Sequence, residues 1–306
     1  MAATYAPLCA GFGLETRDVD LARALSDAEF AGIEAAFFRG QVLVLRAQSL
    51  TASQFLAFAQ RLGPPEPHVI EQFHHPAHAD ILILSNRRDD GRPLGLADAG
   101  TYFHTDYSYL QVPARATMLY SIEVPARGGD TLFANQYAAY DDLTDAMKAR
   151  LAPLLAVHHY GNRDVIDETS RTAASRLNEE QKARMPLVTH PIVRRHPVTG
   201  RKALYAVSGS SYGIVGMGQT EARALLEELA AHATQPRYCY SLAYGVGDVV
   251  IWDNASLLHS ATLVHPDDPR TLWRITVKEP RLAAASVLGP AFAADATRDA
   301  GGRDPP

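Results

Sequence analysis

An imidazole and a carboxylate two residues apart, His104 and Asp106, are where this sequence first offers chemistry. Residues i and i+2 of an extended strand share a face, and the aromatic-rich run 101–110 reads as strand. The pair is therefore expected to grip one metal ion once a third ligand arrives. Two imidazoles and one carboxylate leave three coordination positions open, the arrangement of non-haem Fe(II) oxygenases. H-x-D alone is a weak signal, since it recurs at His78-Ala79-Asp80 and His265-Pro266-Asp267. His78 follows His74-His75-Pro76 in a loop-like run, and His265 sits among prolines that cannot join a ladder, so both read as chance matches.

A second stretch supplies the missing ligand type. From Gly247 the chain runs Asp-Val-Val-Ile-Trp-Asp-Asn-Ala-Ser-Leu-Leu to His259, a buried strand, a polar turn and one histidine on an apolar background. A lone histidine is more often a satisfied core residue. Here, however, Arg270 and Arg274 follow on a strand of otherwise apolar and aromatic residues, four apart and hence on one face. Two guanidinium groups buried on one face are costly unless anions neutralise them, which points to an anionic ligand inside.

The elements that must position these groups are legible in outline. Ser26-Asp-Ala-Glu29 and Thr51-Ala-Ser-Gln54 are capping boxes. The first should start a helix through Phe30, Ile33, Ala36 and Phe37 that Gly40 ends, and the second a helix through Phe55, Phe58 and Leu62. Short strands are expected at 41–45, 81–84, 116–124, 187–193, 203–207, 238–244, 248–252 and 271–277. Gly128-Gly129 form a tight left-handed turn that delivers Thr131 onto the next strand. A helix should run from Ala138 to Leu151 and another over 220–233. The segment 86–100, with its glycines and paired charges, reads as a loop beside the first ligands, and the arginine-bearing excursion at 158–186 is the other candidate lid. His68 lies in a histidine-rich loop with His74, His75 and His78.

At 306 residues, 47% hydrophobic and 21% charged, the chain can bury a substantial core. Nothing resembles a linker, so 1–282 is read as one domain, with 283–306 as a flexible tail poor in large apolar side chains. A net charge of −5 gives no basic footprint for nucleic acid or anionic membranes. No apolar run approaches the roughly 20 residues of a membrane helix. Two cysteines, Cys9 and Cys239, are too few for a disulfide framework, so a cytoplasmic location is expected.

These elements together resemble the taurine dioxygenase (TauD/TfdA) family of Fe(II)/2-oxoglutarate-dependent dioxygenases. The resemblance runs from about Gly13 to Lys278. It rests on Phe103-His-Thr-Asp106, on Gly128-Gly-Asp-Thr131 whose Thr131 lies 25 residues after Asp106, on Trp252-Asp-Asn254 before His259, and on the paired arginines. It implies a mainly β fold with flanking helices, a double-stranded β-helix or jelly roll. It implies His104, Asp106 and His259 as iron ligands, Thr131 and Arg270 as the 2-oxoglutarate clamp, and Arg274 as a contact to the substrate's anionic group, with His68 as a further substrate contact. Phe103 stands where many relatives have Trp, which changes no ligand.

The implied reaction consumes 2-oxoglutarate and O2, releases succinate and CO2, and hydroxylates a C–H bond of a small anionic substrate: a carboxylate, sulfonate or phosphonate. Because Asp106 is a carboxylate rather than a small residue, no position is freed for chloride, and hydroxylation is expected over halogenation. Two other readings stay open at this stage. A zinc hydrolase or isomerase could use the same triad but leaves Arg270 and Thr131 without a purpose. A non-catalytic jelly-roll binding module leaves an open facial site beside two buried arginines. The expected partner is a small molecule, with a homo-oligomer left open.

Overall fold

The computed structural model describes residues 3–97, 99–160 and 187–279. Its spine is an eight-stranded sheet in the order Ala6–Pro7, Leu14–Thr16, Val42–Leu45, Val249–Asp253, Ala114–Glu123, Thr271–Lys278, His78–Ser85, His74–His75. All neighbours are antiparallel except Leu14–Thr16 against Val42–Leu45. A second sheet, Cys239–Leu242, Thr131–Asn135, Leu257–Ala261, faces it.

The runs Val42–Leu45 and Val249–Asp253 are buried throughout because both faces of the large sheet are covered. Leu43, Leu45, Val249, Ile251, Met118 and Ile275 pack against Phe37, Phe55 and Phe58 of the helices Asp27–Gly40 and Ala52–Leu62. Their alternates Val42, Val44, Val250, Trp252, Leu119 and Leu272 face Phe133, Leu242 and Leu257 of the second sheet. One sheet thus has a helix-covered face and a barrel face, and the molecule is a jelly roll with helices outside the large sheet. Both capping boxes form, with Ser26 and Thr51 each accepting from the N3 backbone.

Several local expectations change. Gly40 is the last helical residue of Asp27–Gly40, and the left-handed position falls on Gln41 at φ 62°. A Cβ on Gly40 would come within 2.9 Å of Leu14 Cγ, so close packing, not backbone freedom, explains that glycine. The helix expected over 138–151 is two helices, Gln136–Asp141 and Asp145–Leu151, because Asn135 and Thr144 each cap a separate start. The 86–100 segment contains a short hairpin, Arg88–Asp89 with Arg92–Pro93. The excursion beyond Tyr160 up to residue 186, and the tail after 279, lie outside the described residues.

Candidate active site

His104, Asp106 and His259 come together, their ligand atoms all within 4.8 Å of one another. His104 Nε2 lies 3.5 Å from Asp106 Oδ1, and His259 Nε2 lies 3.4 Å from Asp106 Oδ2. His259 stands on the strand Leu257–Ala261. The run 101–110 is not a strand: His104 makes a single backbone bridge to His259, with N–H to C=O distances of 2.9 Å in both directions, and the chain then turns through Asp106. Aromatic composition favours strand there, but Tyr107 at φ 52° cannot continue a ladder. The two candidate ligands meet through that turn and not through strand alternation.

The donor set fits one divalent ion. His104 Nδ1 lies 2.8 Å from the Tyr102 carbonyl oxygen, so Nδ1 carries the proton and Nε2 keeps its lone pair. Burial, then the neighbouring His104, pulls the His259 imidazole down to about 3, which leaves it neutral and able to ligate. Burial alone would raise the Asp106 carboxyl, yet Arg274 first, then His259 and His104, hold it well below the usual carboxylate range. A carboxylate and two neutral imidazoles are the ligand types of a facial site. The matches at His78 and His265 sit elsewhere. His78 begins a strand and meets Ser53 Oγ at 3.0 Å, and His265 is an exposed partner of Asp267 at 3.7 Å.

Thr131 opens the strand Thr131–Asn135 after Gly128 and Gly129, both left-handed at φ 73° and 72°. It pairs with Ala261, while Phe133 pairs with His259, so Thr131 and His259 are diagonal neighbours on one face of the second sheet. Thr131 Oγ1 lies 2.6 Å from Tyr244 OH, a contact that sequence reasoning missed. Burial pushes the Tyr244 phenol up to about 12 and keeps it protonated. Arg270 is 7% exposed, and among the described residues no carboxylate pairs with its guanidinium. Burial lowers its pKa, with Tyr244 and then Asp130 partly offsetting that. Its backbone is held by Asn86, whose Oδ1 accepts from Arg270 N at 2.9 Å.

Arg274 points into the barrel as spacing predicts, but its Nη2 meets Asp106 Oδ1 at 2.6 Å. Its guanidinium carbon lies 5.6 Å from the Tyr107 ring centroid. His68 is buried, its ring 6.1 Å from that of Tyr107. Burial, then Arg274, pulls it down to about 3. Because its Nδ1 accepts from Ile70 N, this neutral ring carries its proton on Nε2. His68, Tyr107, Tyr109, Val69 and Leu110 line a cavity of about 490 Å³, with Glu66 and Glu71 also on its wall. Tyr107 and Tyr109 lie in the motif stretch, but nothing in their spacing marks them as a wall.

The family model described as Taurine catabolism dioxygenase TauD, TfdA family matches residues 4–276. The alpha-ketoglutarate-dependent 2,4-dichlorophenoxyacetate dioxygenase of Cupriavidus pinatubonensis is 36% identical over 282 residues, covering 88% of this chain and 96% of that protein. Pentalenolactone F synthase of Streptomyces arenae is 33% identical over 245 residues, covering 76% of this chain and 81% of that protein. Among solved structures, AAD-2 in complex with Mn(II) and N-oxalylglycine aligns with a TM-score of 0.76 at 28% identity, covering 92% of this chain and 99% of that one. A zinc hydrolase and a passive binding module both fall away before a match of this extent. The chain belongs to the TauD/TfdA family and is a 2-oxoglutarate-dependent dioxygenase that uses Fe(II) and O2.

Proposed function

We propose that this dioxygenase hydroxylates a C–H bond of a small carboxylate-type anion with an apolar or aromatic body. In this reading His104, Asp106 and His259 hold Fe(II), Arg270 and Thr131 bind the distal carboxylate of 2-oxoglutarate, and Arg274 and His68 face the substrate. One observation carries the cosubstrate site: Arg270 is a buried guanidinium without a carboxylate partner among the described residues, in electrostatic reach of Tyr244, whose hydroxyl meets Thr131, and on the same barrel as the triad. A planar fork suits a carboxylate in two-point contact, which lysine could not copy.

Fe(II), when held by these residues, would supply the chemistry that couples 2-oxoglutarate and O2. The chain's own residues do the rest. Thr131 and Tyr244 offer hydroxyl donors beside Arg270. Trp252, its ring 4.7 Å from that of His259, walls the metal side against water. The relatives named above act on or make different compounds, so the substrate class rests on this chain's pocket. Tyr107, Tyr109, Val69 and Leu110 in its wall suit an apolar body, and Arg274, whose guanidinium carbon lies 5.6 Å from the Tyr107 ring, brings positive charge next to that wall. Among the described residues no helix is long and apolar enough to cross a membrane. A cytoplasmic enzyme built on one domain over 1–282 is consistent with this reading.

The experiment is succinate release from 2-oxoglutarate in air, with and without Fe(II), against aryloxyalkanoates, sulfonates, phosphonates, alkyl sulfates and N-acyl amino acids. The best substrate is then compared with its neutral amide. Fe(II)-dependent release that the amide does not support is the expected result. Equal turnover of the amide would remove the anion from the proposal.

A further inference from the structure

Asp253 and Asn254, which follow Trp252, have no role in the chemistry above, yet both side chains are buried and hydrogen-bonded. We infer that Asn254 and Thr117 are positioning residues that orient the Asp106 carboxylate, and that Asp253 with His196 locks the turn presenting Asn254. The inference rests on Asp106 being a metal ligand.

Hydrogen-bond polarity decides the direction of each contact. Thr117 Oγ1 lies 2.6 Å from Asp106 Oδ2 and 3.0 Å from Asn254 Nδ2. An ionised carboxylate only accepts and an amide nitrogen only donates, so Thr117 gives its single proton to Asp106 and accepts from Asn254. Thr276 Oγ1, 3.2 Å away, must then donate to Thr117 as well. The other end of the Asn254 amide, Oδ1, accepts from Asp106 N at 3.3 Å. Asn254 therefore holds Asp106 twice, by its backbone directly and by its carboxylate through Thr117. With Arg274 on Oδ1 and Thr117 on Oδ2, each carboxylate oxygen has one fixed donor.

This matters because Asp106 sits in a turn, where no ladder fixes its side chain. The turn that carries Asn254 is itself locked. Asp253 accepts from Ala255 N at 3.0 Å and from Ser256 Oγ at 2.5 Å, and its Oδ2 lies 3.0 Å from His196 Nε2. His196 Nδ1 accepts from Val198 N and Thr199 N at 3.1 and 3.0 Å, so Nε2 carries the proton and donates to Asp253. Gln41 Nε2 closes the knot on Ser256 Oγ at 3.0 Å, which gives a reason for the left-handed Gln41. The side chains of Asp106, Thr117, Asn254, Asp253, His196 and Gln41 are all buried, and a hydrogen-bonded network held in the interior is rigid.

The test is Mn(II) binding to the metal-stripped protein by titration calorimetry, which needs no turnover. Thr117→Val keeps the shape and removes the proton, whereas Thr117→Ser restores it. Second-layer partners of metal ligands typically affect affinity about ten- to a hundredfold. Thr117→Val and Asn254→Ala are therefore expected to lose affinity in that range, with Thr117→Ser near wild type and Asp253→Asn following Asn254→Ala. Wild-type affinity in Thr117→Val alongside loss in Asp106→Ala overturns the inference and leaves the metal assignment standing. So does a Thr117→Ser variant as weak as Thr117→Val. Wild-type affinity in Asp106→Ala overturns the metal assignment and this inference with it. Thermal unfolding accompanies each variant; should Thr117→Val not fold, Asn254→Asp, which keeps the acceptor for Asp106 N and loses the donor to Thr117, makes the same comparison.

Discussion

Arg274 Nη2 lies 2.6 Å from Asp106 Oδ1, so the guanidinium that the family resemblance assigns to a substrate anion also braces the carboxylate assigned to the metal. A cation with two anionic partners in reach couples them: a substrate anion that engages Arg274 changes what Asp106 feels. The two arginines of the Thr271–Lys278 region therefore differ in kind, although they face the same way. Arg270 feels the Tyr244 phenol first and Asp130 only after it, whereas Arg274 is paired directly with a carboxylate.

The first prediction follows from that difference. Arg274→Ala should weaken the primary substrate by about 2–5 kcal/mol, on the order of thirty- to several thousandfold, as expected when a buried anion loses its partner. It should also weaken Mn(II) binding, while 2-oxoglutarate binding at saturating metal persists. The charge-transfer band of the anaerobic Fe(II) protein, titrated with 2-oxoglutarate, checks this. Loss of 2-oxoglutarate binding as complete as in Arg270→Ala would move Arg274 into the cosubstrate pocket.

A second prediction separates guanidinium from hydroxyl at the clamp. Arg270→Lys should raise KM for 2-oxoglutarate roughly ten- to a hundredfold, since one arm of a charge-assisted fork is lost at about 1.5–3 kcal/mol. Tyr244→Phe removes a neutral hydroxyl next to Thr131 and should cost only about 0.5–1.5 kcal/mol, roughly two- to tenfold. Steady-state kinetics in 2-oxoglutarate suffices. Unchanged dependence in Arg270→Lys would end the clamp assignment.

What could be read in the sequence was what depends on near neighbours or on period. The capping boxes at Ser26 and Thr51 are self-contained within four residues, and the short continuous apolar runs Val42–Leu45 and Val249 to Trp252 read as buried strands whatever they pair with. The ligand types were legible for the same reason. The geometry that joins them was not. His104 reaches His259 through one bridge between residues 155 apart, and the left-handed Tyr107 that turns Asp106 inward has no local signal such as glycine. Tyr244 meets Thr131 only because Cys239–Leu242 pairs with Thr131–Asn135, a contact across 113 residues. The bracket of Thr117 and Asn254 is likewise a product of sheet pairing between distant strands.

A third prediction concerns acid. His190, its Nε2 3.1 Å from the Leu110 carbonyl oxygen, is pulled from its ordinary 6.5 to about 4 by burial and then by Arg194. His158, whose ring centroid lies 5.2 Å away, and His68 are displaced in the same direction. Between 6.5 and about 4 the unfolded chain binds a proton at His190 that the folded protein does not, so stability rises with pH across that window and falls on acidification. The contribution is complete above 6.5 and gone below about 4, on the order of 3 kcal/mol for His190. Urea unfolding at pH 7.5 and 4.5 should show the loss, and His190→Gln should reduce it, leaving the share of His158 and His68. An equal loss in that variant would count against a buried neutral His190.

The last prediction uses two left-handed glycines that each back one functional side chain. A Cβ on Gly100, at φ 72°, would lie 2.6 Å from His104 Cε1, and one on Gly129, also at φ 72°, would lie 3.0 Å from both Cδ and Nε of Arg270. Alanine is strained at either backbone, so both variants should lose roughly 1 kcal/mol or more of stability, and that shared cost controls for the fold. Their functional effects should divide. Gly100→Ala pushes on the His104 imidazole and should weaken Mn(II) binding, with KM for 2-oxoglutarate little changed at saturating metal. Gly129→Ala pushes on the Arg270 side chain and should raise that KM while Mn(II) affinity stays near wild type. Calorimetry with Mn(II) and steady-state kinetics in 2-oxoglutarate read the two effects separately. If both variants move both quantities equally, the metal site and the clamp deform as one body, and their assignment to separate supporting glycines is wrong.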